Sequence, residues 1–224
     1  MAREPYQEAL EDLRSDVLSM GELVGDRLEM ALDALETGDE DLARTVVEGD
    51  DEVNDLYLSL EDRCVDLIAL QQPVAGDLRL VAASFKILTD LERIGDLASN
   101  LAGYALAASD DLTPEVAIDD IGRDALALLE RSLAAYESED ADACRGIADA
   151  DDDIDALCQH ASETVVRDLI QREADEDLWG VEQLLDDVSR VLLIIRDLER
   201  VGDHAVNIAA RTLYMVDTST ELIY

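Results

Sequence analysis

The residues best placed to do chemistry are acids, and they occur twice in the same setting. Asp90 to Ala102 reads DLERIGDLASNLA and Asp197 to Ala209 reads DLERVGDHAVNIA, with nine of thirteen positions identical at a constant offset of 107. Each block holds a Glu and an Asp four apart: Glu92 with Asp96, and Glu199 with Asp203. On a helix such a pair lies on one face, one turn above the other. At ~100° per residue, Glu92 and Asp96 fall within about 20° of Phe85 and so continue the apolar stripe Leu78, Val81, Phe85 and Leu88. Glu199 and Asp203 likewise extend Leu185, Val188, Leu192 and Ile195. Stacked like charges repel unless a cation compensates them, and carboxylates on successive turns can bridge or chelate a hard divalent ion through oxygen. Gly95 and Gly202 sit between the acids, where a missing side chain admits a backbone, water or ligand. The bland alternative is that a very acidic chain produces ExxxD spacings by chance and that Arg93 and Arg200 pair with acids on a neighbouring helix. Repetition of the whole block favours the metal reading.

Other chemistry finds little footing. A ferritin-like carboxylate oxidoreductase needs a Glu three residues before a His; Leu157 and Val201 stand before His160 and His204. Neither a nucleophile–base pairing nor a Gly-rich phosphate loop is present. His204, where the first repeat has Leu97, reads as a polar helix residue. Cys64, Cys144 and Cys158 are odd in number, lack ligand spacing, and read as small fillers in helices. The expectation is a protein without catalytic activity.

The acids need long helices to carry them. Leu10, Leu13, Val17, Met20, Val24, Leu28, Ala31 and Leu35 form one stripe with steps of three and four. Thr37-Gly38-Asp39 breaks it. A second helix runs through Leu42, Val46, Val53, Leu56, Leu60, Cys64 and Leu67 to Gln72-Pro73, and a third from near Ala75 to about Ala108. Ser109 to Pro114 is the best linker, its proline suited to the first turn of a new helix. The pattern then repeats with helices over Ile118 to Tyr136, Ala143 to Arg172 and Leu178 to Met215, an acidic loop preceding the last. The expected fold is all-α, with two tandem three-helix bundles at 1–108 and 109–224.

Composition bounds the setting. Against 55 acids stand 17 Arg and Lys, giving a formal charge of -38, yet 48% of the 224 residues are apolar, too many for a disordered acidic tail. No basic cluster suits nucleic acid. No apolar run approaches the ~18 residues of a membrane span, so a soluble cytoplasmic protein without membrane insertion is expected. A single lysine, Lys86, and an excess of Asp over Glu suggest a halophile's protein, its self-repulsion screened by concentrated salt.

LERIGD with its following Asn100, LERVGDHAVNIA (Leu198 to Ala209) and QPVAGDLR (Gln72 to Arg79) together resemble the PhoU family of phosphate-uptake regulators, in a haloarchaeal form. The likeness extends from the first helix to about Met215. It implies two tandem three-helix bundles, often dimeric, with multinuclear metal sites on ExxxD motifs; iron, manganese, magnesium or zinc would suit them. Glu92, Asp96, Glu199 and Asp203 match the motif acids. Asp51 resembles the acid of the second helix in the first repeat, and Asp152 and Asp155 its counterpart in the second, where the first has Asn54. The implied role is negative control of phosphate uptake by contact with a phosphate ABC transporter, through its ATPase subunit, and in bacteria with a sensor kinase. The competing readings are a ferritin-like oxidoreductase or carboxylate metal protein unrelated to phosphate, and a salt-adapted helical scaffold.

Overall fold

A computed structural model describes residues 4–108, 117–172 and 178–223, and every regular element in them is an α-helix. Helix α1 (Glu4–Thr37) buries Leu10, Leu13, Val17, Met20, Val24, Leu28 and Ala31. Near its end Ala34 is buried and Leu35 only half-buried, so the stripe drifts by one residue over the helix's length.

The single second helix expected from Leu42 to Leu67 is broken. It forms α2 (Glu40–Glu48) and α3 (Asp50–Gln71), parted at Gly49. At the break, Arg27 on α1 donates to the Thr45 carbonyl at 3.1 Å and pairs with Glu52 at 2.7 Å. A Cβ on Gly49 would stand 2.2 Å from the Arg27 guanidinium, so a larger residue there would have to push the arginine off its contacts. Asp39 caps α2, its Oδ1 accepting from the amides of Asp41 and Leu42.

Helix α4 (Gly76–Leu106) closes the first bundle by packing on α1, α2 and α3. The second bundle is α5 (Ile118–Ser138), α6 (Ala141–Arg172) and α7 (Leu178–Asp217). Asp140 Oδ1 accepts from the amides of Asp142 and Ala143 and starts α6, matching the place of Asp39 in the first repeat. Arg131 donates to the Gly146 carbonyl as Arg27 does to Thr45. The Ser109–Pro114 linker and the acidic loop after Arg172 lie outside the described residues.

Among the described residues, the bundles pack chiefly through α4 against α7 and α1 against α5. Across the first repeat's last helix and α5, the buried Ser84 and Tyr136 hydroxyls share a hydrogen bond of 2.7 Å. The three cysteines are free and buried, and burial pushes the thiols of Cys64 and Cys144 up to about 11 and that of Cys158 to about 12. Burial of all three fits the reading of small fillers within helices. Among the described residues no helix is long and apolar enough to cross a membrane.

The stripe assigned to the motif helices needs correction. Leu78 and Leu185 are exposed, and Phe85 and Leu192 are half-buried. The buried line of α4 runs through Ile87, Leu88, Leu91, Ile94, Ala98 and Leu101. Glu92 and Asp96 therefore lie along the edge of the core face, where a carboxylate keeps part of its water.

Candidate cation-binding face

In the second repeat, α6 and α7 bring acids together across their packing seam. Asp151 and Asp155, one turn apart on α6, face Glu199 and Asp203 on α7. The seam closes at Gly202, where a Cβ would stand 2.6 Å from Asp151 Oδ1. A larger residue there would have to displace the α6 carboxylate. Asp151 Oδ1 is buried and has no hydrogen-bond partner. Burial, then Asp155, Asp203, Asp152 and Glu199, push the Asp151 carboxyl up to about 7. Asp155 is raised by burial, then by Asp203 and Asp152; Glu199 is raised by burial, then by Asp155 and Asp203. Among the described residues, none of Asp151, Asp155, Glu199 and Asp203 forms an ion pair. Arg200, the nearest candidate along the motif, turns to Asp197 at 3.7 Å.

The first repeat builds the same seam and quenches it. Asp50 on α3 takes the place of Asp151, but Ser99 donates to its Oδ1 at 2.8 Å and Asn54 to its Oδ2 at 3.0 Å. Arg93 pairs with Asp96 at 2.9 Å and with Glu92 at 3.3 Å on its own helix. Burial raises the Glu92 carboxyl, as do Asp96 and Asp50, while Arg93 and His204 lower it. Opposite Gly95 stands Val53, whose Cγ1 would be 3.0 Å from an added Cβ. The substitution of Asn54 for an acid, visible in the sequence, supplies a donor where the second repeat has a charge.

Of the expected ligands, Glu92 and Asp96 share one face, and Glu199, Asp203 and Asp155 another. Asp152 is exposed at the rim of the second group, close enough to raise Asp151 and Asp155. Asp51 is not brought to the first group; it is exposed, and Asp50 occupies the seam instead. One residue of register turns a helical side chain by ~100°, which moves it from the seam to the outer face. Asp50 and Asp151 escape a sequence comparison that pairs Asp51 to Leu56 (DEVNDL) with Asp152 to Leu157 (DDIDAL) at an offset of 101, because both blocks begin one residue after them. The offset of 101 pairs Asp50 with Asp151, so the acid of each seam was one step upstream.

The first Asp of each motif was missed too. It points not to the acid groups but across the bundle interface. Asp90 lies 2.9 Å from His204 Nδ1 and accepts from Asn207 Nδ2 at 3.3 Å. Asp197, fully buried, accepts from the Tyr104 hydroxyl at 3.0 Å and from Arg196 Nη2 at 2.8 Å. Each repeat's motif thus begins with a tie to the other repeat.

Oxygen donors of this kind suit hard cations. The unpartnered Asp151 oxygen and the repelling carboxylates of the second repeat fit that chemistry. Among the described residues, no three or more His, Cys, Asp or Glu side chains converge as a ready-made metal site.

The PhoU domain matches the chain twice, over residues 17–105 and 118–212. The chain belongs to the PhoU family. Membership places the DLERxGD motif near the same point of both matched segments, on α4 and α7. Among PhoU relatives, a "Phosphate-specific transport system accessory protein PhoU homolog" of Pseudomonas aeruginosa is 35% identical over 94% of this chain and 85% of its own. A homologue from Methanothermobacter thermautotrophicus is 32% identical, with 94% of each chain covered. The crystal structure of PhoU from Pseudomonas aeruginosa superposes with a TM-score of 0.87 at 32% identity, covering 96% of this chain and 100% of that one. That of the phosphate transport system regulatory protein PhoU from Streptococcus pneumoniae gives 0.86 at 26% identity, covering 96% and 98%.

Proposed function

We propose that this PhoU-family chain is a cytoplasmic, non-catalytic accessory protein of phosphate transport. It acts as a negative regulator, by contact with a phosphate ABC transporter through the ATPase subunit. The observation that carries the reading is the doubled PhoU domain along nearly the whole chain, shared with relatives named as phosphate-specific transport accessory proteins. A sensor kinase as second partner and a homodimer as the working unit belong to the same proposal. So does a divalent or ferric cation held by Asp151, Asp155, Glu199 and Asp203. Such an ion would supply positive charge to acids that form no ion pair among the described residues, and these side chains would orient it. The orphaned Asp151 oxygen supports this, and it favours the second repeat over the first, where Asn54, Ser99 and Arg93 already satisfy the acids.

Deletion of the gene tests the regulatory reading: phosphate uptake should rise when phosphate is plentiful, and the transporter ATPase should be captured with the full chain from phosphate-replete extract at native salt. Unchanged uptake and unchanged polyphosphate in the deletion strain, under scarce and abundant phosphate alike, would refute it.

A further inference from the structure

Between α1 and α5, on the face where the two bundles meet, runs a groove of about 310 Å³. Its floor is apolar: Leu18, Leu126, Leu129 and Leu133, of which Leu129 is fully buried and the others half-buried. Two glycines one turn apart, Gly21 and Gly25, thin the α1 wall. The tip of Leu133 leans over Gly21, 2.7 Å from where a Cβ would be, whereas nothing lies within 4 Å at Gly25. The groove is therefore open at Gly25, with room for an incoming side chain.

The rim is acidic and unpaired. Glu22, Asp26 and Glu29 on α1 face Glu130 and Glu137 on α5, all five exposed. Among the described residues none of the five has an ion pair or hydrogen-bond partner. The arginines of these two helices are all turned elsewhere. Arg14 pairs with Glu139 and Arg123 with Glu36. Arg27 binds Thr45 and Glu52, and Arg131 the Gly146 carbonyl. A surface that directs its four described arginines away and leaves a ring of bare carboxylates around leucines is complementary to apolar side chains flanked by positive charge.

We propose that the α1–α5 groove is a docking site for a basic amphipathic helix of a partner protein. The partner's leucine-like anchors enter beside Gly25, and its Lys or Arg side chains meet Glu22, Asp26 and Glu130. Helix-in-groove recognition divides the work in this way: apolar anchors carry affinity, and rim charges set orientation and association rate. A second copy of this chain is the poorer occupant, since it brings the same sign of charge.

The test uses the full chain at the lowest salt at which its helical circular dichroism is unchanged. The probe is a labelled synthetic peptide of Leu, Lys and Arg, about 18 residues long and patterned for an amphipathic helix, read by fluorescence anisotropy beside a scrambled peptide of equal composition. Gly25→Leu places a side chain in the groove from a Cβ position with nothing within 4 Å, and a helical Gly→Leu change favours folding. The triple variant Glu22→Gln/Asp26→Asn/Glu130→Gln strips the rim. Asp55→Asn/Asp62→Asn/Asp66→Asn removes equal charge from the exposed face of α3. Saturable binding of the patterned peptide is expected, weakened about tenfold by Gly25→Leu and by the rim variant, and unchanged by the α3 variant. The proposal is overturned by equal binding of the scrambled peptide, by equal loss in the α3 variant, or by no effect of Gly25→Leu. It is overturned as well if spermine occupies the groove and the peptide cannot displace it, or if self-association, and not peptide binding, is what Gly25→Leu abolishes.

Discussion

A carboxyl lifted to about 7 holds its proton in the folded chain at pH values where it is ionised in the unfolded one. Asp151 is in that position. Between its ordinary value of 3.8 and about 7 the folded state binds the extra proton, so stability falls as pH rises through that window. Its contribution is fully present below the lower value and gone above the upper one. Asp151→Asn removes the liability: at pH 7.5 the variant should be more stable by about 1–2 kcal/mol, once screening at a half-buried site is allowed for. The gain should shrink toward pH 4. Urea titrations of both chains across pH check this, and a gain independent of pH would show that the burial of charge is not the cause. The same repulsion motivates a metal prediction. Glu199→Gln/Asp203→Asn should lower the content of iron, manganese, magnesium or zinc with helicity intact, while Glu92→Gln/Asp96→Asn should lower it less. Elemental analysis of the purified variants decides; equal content in wild type and in a chain lacking all four acids would remove these residues as ligands.

At the scale of the helix, Gly49 and Asp197 show where local rules yield to neighbours. Nothing in Leu42 to Leu67 marks a break beyond one glycine in an otherwise periodic run, yet Arg27 from another helix claims the Thr45 carbonyl and needs the space. A Gly49→Leu chain should lose the Arg27 contacts and melt lower, whereas Gly103→Leu, with open space around its Cβ, should not. Asp197→Ala should cost about 1–3 kcal/mol, because the Tyr104 hydroxyl is left partly buried without its acceptor. Asp197→Asn, which keeps a carbonyl oxygen there, should cost less. Chemical denaturation of the pair separates the hydrogen bond from the charge.

For the molecule as a whole, a net charge of -38 is borne by a body whose core is continuous through both bundles. Self-repulsion of that size destabilises the compact state, and salt screens it over ~3 Å at 1 M against ~10 Å at 0.1 M. The melting temperature should therefore climb as salt rises into the molar range, and the helical circular dichroism should weaken in dilute buffer. Spectra and melting temperatures that stay constant across that range would remove the halophilic reading.

The helical class, the repeat and the motif acids were legible because they are local: a period of three and four, and a thirteen-residue block written twice, need no third dimension. The sequence also carried the inequality of the repeats, in Asn54 against Asp155. What it could not carry was which carboxylate turns into each seam. Asp50 and Asp51, like Asp151 and Asp152, are neighbours of identical type, and only the packing of α3 on α4 and of α6 on α7 chooses between them. The partners of Asp90 and Asp197 were equally out of reach, since His204 and Tyr104 lie 114 and 93 residues away and meet them only when the bundles close on each other. Side-chain type and period are properties of the chain; which face meets which is settled by the burial of apolar surface across the entire fold.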